Sequence, residues 1–161
     1  MTAVTRAASS AKSAKLQLAT FDLGELRLAL EISQIQEIMR DVTITHVPES
    51  APEVSGVINL RGEVATIIDL RRVLGLPPAP AGVNARTLIV RSQGESIGLI
   101  VDRVADITAV DHHEIVPPPP NVGRVDGRFI RGVCPRESEI IVVLELEQVL
   151  STPTSERNHL G

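Results

Sequence analysis

Aromatic residues are almost missing from this 161-residue chain: Phe21 and Phe129 are the only two, with no Trp and no Tyr. Any core must therefore be Val, Ile and Leu, and the base-stacking platforms of single-stranded nucleic-acid binders are absent. Cys134 is the one cysteine. That excludes a disulfide framework or a thiolate metal cluster within one chain, and suits a reducing compartment. Basic charge is not in excess either, with 16 Lys and Arg against 20 Asp and Glu. A net charge of −4 removes the electrostatic footprint that a phosphate backbone requires, so no nucleic-acid partner is expected. No apolar run approaches the roughly 20 residues that span a bilayer, so no membrane insertion is expected. The opening "MTAVTRAASSAKSAK" has no acidic residue and no apolar stretch of the kind a secretory leader carries. An organelle transit peptide would share that composition, but a plain polar tail is the simpler reading.

What is present is a chain 43% apolar, long enough to bury roughly 70% of its unfolded surface. Leu26, Leu28, Leu30 and Ile32 alternate with Arg27, Ala29 and Glu31, the period of a half-buried strand. "LQLATFDL" before them is β-like, and Gly24 falls where a hairpin turn is needed. "SQIQEIMR" predicts a short helix, with Ser33 and Gln36 as a capping box and Ile35, Ile38 and Met39 on one face. "VTITHV" reads as strand, and "PESAPEVSG" as a turn region with one helical turn begun by Pro52. "VINLRGEVATIIDL", residues 57–70, reads as two strands interrupted by a tight turn at Arg61-Gly62-Glu63. "RRVLGL" reads as a helical turn ended by Gly75, and "PPAPAGVNA" as a proline-rich connector and the best internal boundary.

β character returns in "RTLIVR", "SIGLIVDRVADITAV", "GRFIRGV" and "EIIVVLEL", with turn signals at "SQGE" and "PRES"; "LELEQVL" closes as a short helix. Strands never alternate with helices of ordinary length, so a parallel βαβ architecture is not expected. Nine or ten short strands in two halves point to a mainly β protein of two small barrels around separate cores. The expected organisation is a disordered tail over 1–15 and a folded unit over 16–150. Its subdomains lie at roughly 16–76 and 84–150, joined by a linker over 77–83. A second disordered tail covers 151–161.

The most enzyme-like stretch is "AVDHHEIV". Asp111-His112-His113 follows an apolar strand, as in the DHH phosphoesterases named for that tripeptide, where carboxylate and imidazole bind divalent metal and generate hydroxide. Such a site needs further Asp and His ligands. The other histidines are His46 and His159, no Asp-x-Asp pair precedes the motif, and adjacent residues on a strand point apart. A solvated turn is therefore expected. Pro117–Pro120 reads as a rigid crossover rather than a polyproline ligand. Cys134 precedes Pro135, has no nearby His in sequence, and reads as a core or turn residue rather than a nucleophile. No phosphate-binding, dinucleotide-binding or nucleophile-elbow glycine motif occurs, and no spacing singles out a triad. No catalytic residue, cofactor or metal is expected. Arg61 remains, an arginine closing an otherwise buried-looking strand. It is either a solvated turn charge or part of a protein-binding groove.

With Arg61 at its centre, "VSGVINLRGEVATIIDLRRVLGL" resembles the signature of the CheW family, the bacterial chemotaxis coupling proteins. "FDLGELRLALEISQIQEIM" resembles the family's opening hairpin and helix, "IGLIVDRVADITAV" with "IVPPPP" its central strands and crossover, and "IRGVCPRESEIIVVLELEQVL" its closing hairpin and terminal helix. The resemblance runs from about Leu16 to Leu150. It implies two intertwined five-stranded SH3-like β-barrels with short helices, each barrel with its own apolar core. It also implies a non-enzymatic, cofactor-free cytoplasmic adaptor, recruited to membrane receptor arrays. Such an adaptor bridges methyl-accepting chemotaxis receptors to the histidine kinase CheA, whose regulatory domain has the same fold.

By the same resemblance, Ile35, Glu37, Ile38, Gly56, Asn59 and Arg61 form the receptor-facing surface, with Glu37 meeting Arg61 at its edge and the kinase using a different surface. A CheW-like adaptor of a non-flagellar pathway would look the same. A CheV-type protein would append a receiver domain, and only tail residues follow Leu150. The chain departs from the family at Thr66, where proline is usual; threonine restores a backbone donor and suits a strand. The "DHH" stretch falls where the family has a variable turn.

Overall fold

The structure, a computed structural model, describes residues 15–80 and 84–151. The expected tails, apart from Lys15 and Ser151, lie outside the described residues, as does the 81–83 part of the linker. The elements in chain order are β1 (Lys15–Leu23), β2 (Leu26–Glu31), β3 (Ile35–Arg40), β4 (Val54–Leu60), β5 (Glu63–Asp69), α1 (Leu70–Val73), β6 (Arg86–Ser92) and β7 (Glu95–Val101). Then follow β8 (Arg103–Asp111), β9 (Asn121–Val122), β10 (Val125–Asp126), β11 (Ile130–Pro135) and β12 (Ile140–Leu144), and a closing helix α2 over 146–151. The protein is mainly β, as its Val/Ile/Leu runs dictate.

Two five-stranded sheets carry the fold. Their orders are β8-β1-β2-β12-β11 and β3-β6-β7-β5-β4. Read in that direction, successive pairings in each sheet are antiparallel, antiparallel, parallel and antiparallel. The second sheet thus repeats the first, with one exchange. β3 follows β2 in the chain but pairs with β6, and β8 follows β7 but pairs with β1. The chain crosses between sheets at a 3-10 turn, Ile32–Gln34, and at the single residue Asp102. The proline-rich connector instead joins α1 to β6 inside the second sheet.

The exchange shapes the core. Leu18, Ala29, Val110, Cys134, Ile141 and Val143 cluster on one face of the first sheet, and Ile58, Leu60, Ala65, Ile67 and Ile89 on one face of the second. The largest cluster is shared. Phe21, Leu28 and Leu30 of the first sheet pack with Leu88, Val90 and Leu99 of the second. This corrects the expectation of separate cores. Both sheets are apolar on two faces, so each turns one face to a private core and the other to its neighbour. Cys134 is fully buried, and burial pushes its thiol up from the ordinary range, the environment of a packing residue.

A second correction concerns residues 35–40, expected as a helix and found as β3. The reason is a bulge. Ile35 pairs with Val90 and Ile38 with Leu88, so three residues on β3 span two on β6. Ile35 and Ile38 therefore share a face while three apart, which mimics the helical i, i+3 pattern. The capping box is also displaced. Glu31, not Ser33, precedes the 3-10 turn, and Gln34 Oε1 accepts from Glu31 N at 3.2 Å. "VTITHV" contributes only the bridge Thr45–Val57, and the Pro52 region is a turn without a helix.

A partly buried ion pair ties the sheets at the Asp102 crossing. Asp69 caps α1, its Oδ1 accepting from Arg71 N at 3.1 Å. The Arg71 side chain then runs inward to Asp102, with Nε–Oδ1 at 3.2 Å and Nη2–Oδ2 at 2.5 Å, and donates to Pro77 O at 2.7 Å. Asp102 Oδ2 also accepts from Gly24 N at 2.8 Å, and Asp102 N donates to Asp22 O at 3.0 Å. One guanidinium thereby joins α1, the connector, the β1–β2 turn and the crossing.

Candidate functional site

The exchanged strands β3 and β8 are the facing edges of the two sheets, and a groove of about 570 Å³ lies between them. Ile35 and Ile38 form one wall, Val104 and Ile107 the other, with Ala19 and Ile32 also lining it. Both walls have the same construction. Val104 pairs with Phe21 and Ile107 with Ala19, again three residues against two across a bulge. Each bulge turns two apolar side chains to the same side, where a regular strand would alternate them. Ile38 is 48% and Ile107 62% exposed, an apolar surface with no partner among the described residues.

Arg61 stands at the rim. It occupies the β4–β5 turn with φ +53, followed by Gly62 at φ +88. Two positive φ values make a turn whose twist suits a hairpin, but Asn or Gly takes the first position with far less strain than Arg. Asn59 steadies the turn, its Oδ1 accepting from Gly62 N at 2.9 Å. The Arg61 guanidinium reaches Glu37 on β3 in a two-point pair: Nη1 donates to Oε2 and Nη2 to Oε1, the latter at 3.1 Å. Arg61 stays 71% exposed at its side chain, Glu37 24%. Such a pair adds little to folding. A strained arginine with an exposed guanidinium is better placed for recognition than for stability.

The six residues singled out in the sequence do not all converge. Ile35, Glu37 and Ile38 line the groove, Arg61 reaches it through Glu37, and Asn59 holds the Arg61 turn. Gly56 is buried away from the groove. A Cβ there would fall well inside contact distance of Thr45 O and 2.7 Å from Ile44 Cγ2, at φ +149. Only glycine lets the Thr45–Val57 bridge form. The opposite wall, Val104 and Ile107, was not singled out. Its signal was present in "VADI": two apolar residues three apart inside a strand.

The "DHH" stretch is a 3-10 turn, His112–Glu114, with both histidines exposed. Glu114 Oε1 accepts from Asp111 N at 2.7 Å and Oε2 from Arg136 Nη1 at 3.2 Å. The Asp111 amide and, more weakly, Arg136 and His113 hold the Glu114 carboxyl below its ordinary range. Among the described residues, no three His, Cys, Asp or Glu side chains converge as a metal site would need. Replacing His112 and His113 together by Ala should shift stability by no more than about 0.5 kcal/mol, the range for surface substitutions, and leave partner binding unchanged. Urea titration and a binding assay check this; lost binding with the fold intact would make the turn a functional site.

No helix among the described residues is long and apolar enough to cross a membrane. The profile of the CheW-like domain matches residues 17–154. The chain is 32% identical over 154 residues to the chemotaxis protein CheW of Rhizobium meliloti, covering 96% of this chain and 98% of that one. It is 33% identical over 140 residues to the probable chemotaxis protein CheW of Rhizobium etli, covering 87% and 90%. The crystal structure of the scaffolding protein TtCheW from Thermoanaerobacter tengcongensis superposes with a TM-score of 0.77 at 32% identity, covering 83% of this chain and 91% of that one. With its two exchanged sheets and its match across nearly the whole folded unit, the chain belongs to the CheW-like domain family.

Proposed function

We propose that the protein is a non-enzymatic chemotaxis adaptor that seats an amphipathic chemoreceptor helix in the β3–β8 groove. A separate surface binds the regulatory domain of the histidine kinase CheA. The observation that carries the reading is the groove: two facing apolar pairs with the two-point Arg61–Glu37 pair at the rim. A helix offers anchors at i, i+3 and i+4 along one face, and a trough with apolar walls and a polar edge accepts such a face. Coupling then works by placement. A receptor movement is passed on as a changed position of the kinase, without chemistry on the adaptor. Such an adaptor works in the cytoplasm, at the membrane arrays where its receptors sit.

The test uses two variants, Arg61→Ala and Arg61→Gly. Both remove the guanidinium and leave Glu37 to be covered unpaired by the receptor helix, which should weaken binding of a chemoreceptor cytoplasmic fragment by about thirtyfold or more. Kinase-domain affinity should hold. Arg61→Gly should also raise the thermal midpoint, because glycine takes the positive φ without strain. Unchanged receptor affinity in both variants would sink the groove reading. Weakened kinase affinity with receptor affinity kept would mean the two surfaces are assigned in reverse.

A further inference from the structure

We propose that Thr20 is a positioning residue of the groove, its hydroxyl holding the β8 bulge from beneath and so placing Val104 and Ile107 on the wall. This rests on the groove being the receptor site. Thr20 lies on β1 between Ala19 and Phe21, the two residues that bracket the register shift against β8. Its side chain points away from the groove and is buried, at 1% exposure. Thr20 Oγ1 accepts from Asp106 N at 3.0 Å and donates to Asp106 O at 3.0 Å. One hydroxyl thus takes both main-chain groups of a residue inside the bulge.

A bulge removes ladder partners from the extra residue, and main-chain groups left unpaired away from water are costly. Thr20 supplies those partners from the neighbouring strand without straightening β8. Without the hydroxyl, the segment can recover hydrogen bonds by slipping toward a regular register, which would send Val104 and Ile107 to opposite faces. The comparison with β3 sharpens the inference. There the residue opposite the bulge is Ile89, which has no hydroxyl; the bulge residue Gln36 instead accepts at its side chain from Ser96 Oγ at 3.3 Å, and Glu37 beside it meets Arg61. Two walls of the same construction are thus held differently, through side chains at the β3 bulge and through the main chain of Asp106 at the β8 bulge.

Thr20→Val keeps the shape of the side chain and removes the hydroxyl; Thr20→Ser keeps the hydroxyl. Three measurements on the full chain decide the matter: amide exchange residue by residue, affinity for a chemoreceptor cytoplasmic fragment, and affinity for the kinase regulatory domain. In Thr20→Val the Asp106 amide should exchange about tenfold faster or more, with β2 and β12 amides unchanged, since the opening is local. Receptor affinity should fall about tenfold, kinase affinity should hold, and Thr20→Ser should behave as wild type. A folded Thr20→Val with wild-type receptor affinity overturns the proposal. So does a uniform rise in exchange with both affinities falling together, which would make Thr20 a stability residue only. If Thr20→Val does not fold, Thr20→Cys takes its place, since a thiol fills the site but bonds weakly. Failure of the wild-type protein to bind the receptor fragment would overturn the receptor reading, while exchange at Asp106 still decides whether Thr20 holds the bulge.

Discussion

Gly56→Ala should destabilise the protein by about 4 kcal/mol, because a backbone clash and a left-handed φ act there together. The added Cβ meets Thr45 O and Ile44 Cγ2. Relief requires moving the 44–45 segment off β4, which breaks the paired bonds Thr45 N to Val57 O and Val57 N to Thr45 O, both 2.9 Å. The positive φ adds its own strain of about 1–3 kcal/mol. Gly132 provides an internal control. It sits at the matching bulge of β11, where a Cβ would lie 2.7 Å from Val116 O, but its φ is outside the left-handed region. Gly132→Ala should therefore cost about 2 kcal/mol. Urea denaturation of both variants gives the comparison. If Gly56→Ala melts like wild type yet fails to bind the receptor fragment, Gly56 is a contact residue and its burial has been given the wrong meaning.

Asp102→Asn should cost about 3 kcal/mol, because it strands the Arg71 guanidinium, 7% exposed, without a counter-charge. The same pair gives the protein an acid limb. Burial alone would push the Asp102 carboxyl up. Hydrogen bonds from Arg71 and from the Gly24 amide, with the Arg71 charge, outweigh it and hold the folded pKa below its ordinary 3.8. A carboxyl with a lowered folded pKa contributes stability that is complete above its unfolded pKa and lost as pH falls toward the folded one. The loss should therefore begin below about pH 4 and deepen further down, with no contribution to the slope near neutrality. Wild type and Asp102→Asn should differ most at neutral pH and converge in acid. Urea midpoints across that range test the sign; a constant gap down to the acid limit would show that the pair's charge is not what stabilises.

Much of the strand layout was legible because alternation and turn chemistry are local. The β1–β2 hairpin could be read from Leu26, Leu28 and Leu30 with Gly24, and the β4–β5 turn from Arg61-Gly62. The expected Arg61–Glu37 contact is present, yet it joins a turn to a strand rather than to a helix. What misled was the bulge. Inserting one residue into a ladder converts a period of two into a spacing of three, and no local rule separates that from one turn of helix. The same device hid Val104 and Ile107, so half of the groove went unread. Gly56 illustrates the opposite case. The resemblance places this glycine on the receptor-facing surface, whereas the glycine itself is buried, with a carbonyl packed where a Cβ would be. That demand comes from Thr45, eleven residues away, and pairing across a loop leaves no trace in the adjacent sequence.

The exchange of β3 and β8 sets a timetable for the molecule's assembly. During synthesis the first hairpin, β1–β2, emerges with neither neighbour available. Its partner on one side, β8, begins at Arg103, and on the other, β12, at Ile140. The second sheet has all five strands by Val101, but the groove still has only one wall. Pairing over such separations carries a loop-closure cost before any contact repays it, so closure of the first sheet is the slow step. A nascent or truncated chain therefore holds Ile35, Ile38 and the Arg61–Glu37 pair without the Val104–Ile107 face. Its groove stays half-built until β8 has emerged and paired with β1, while the first sheet as a whole waits for β12.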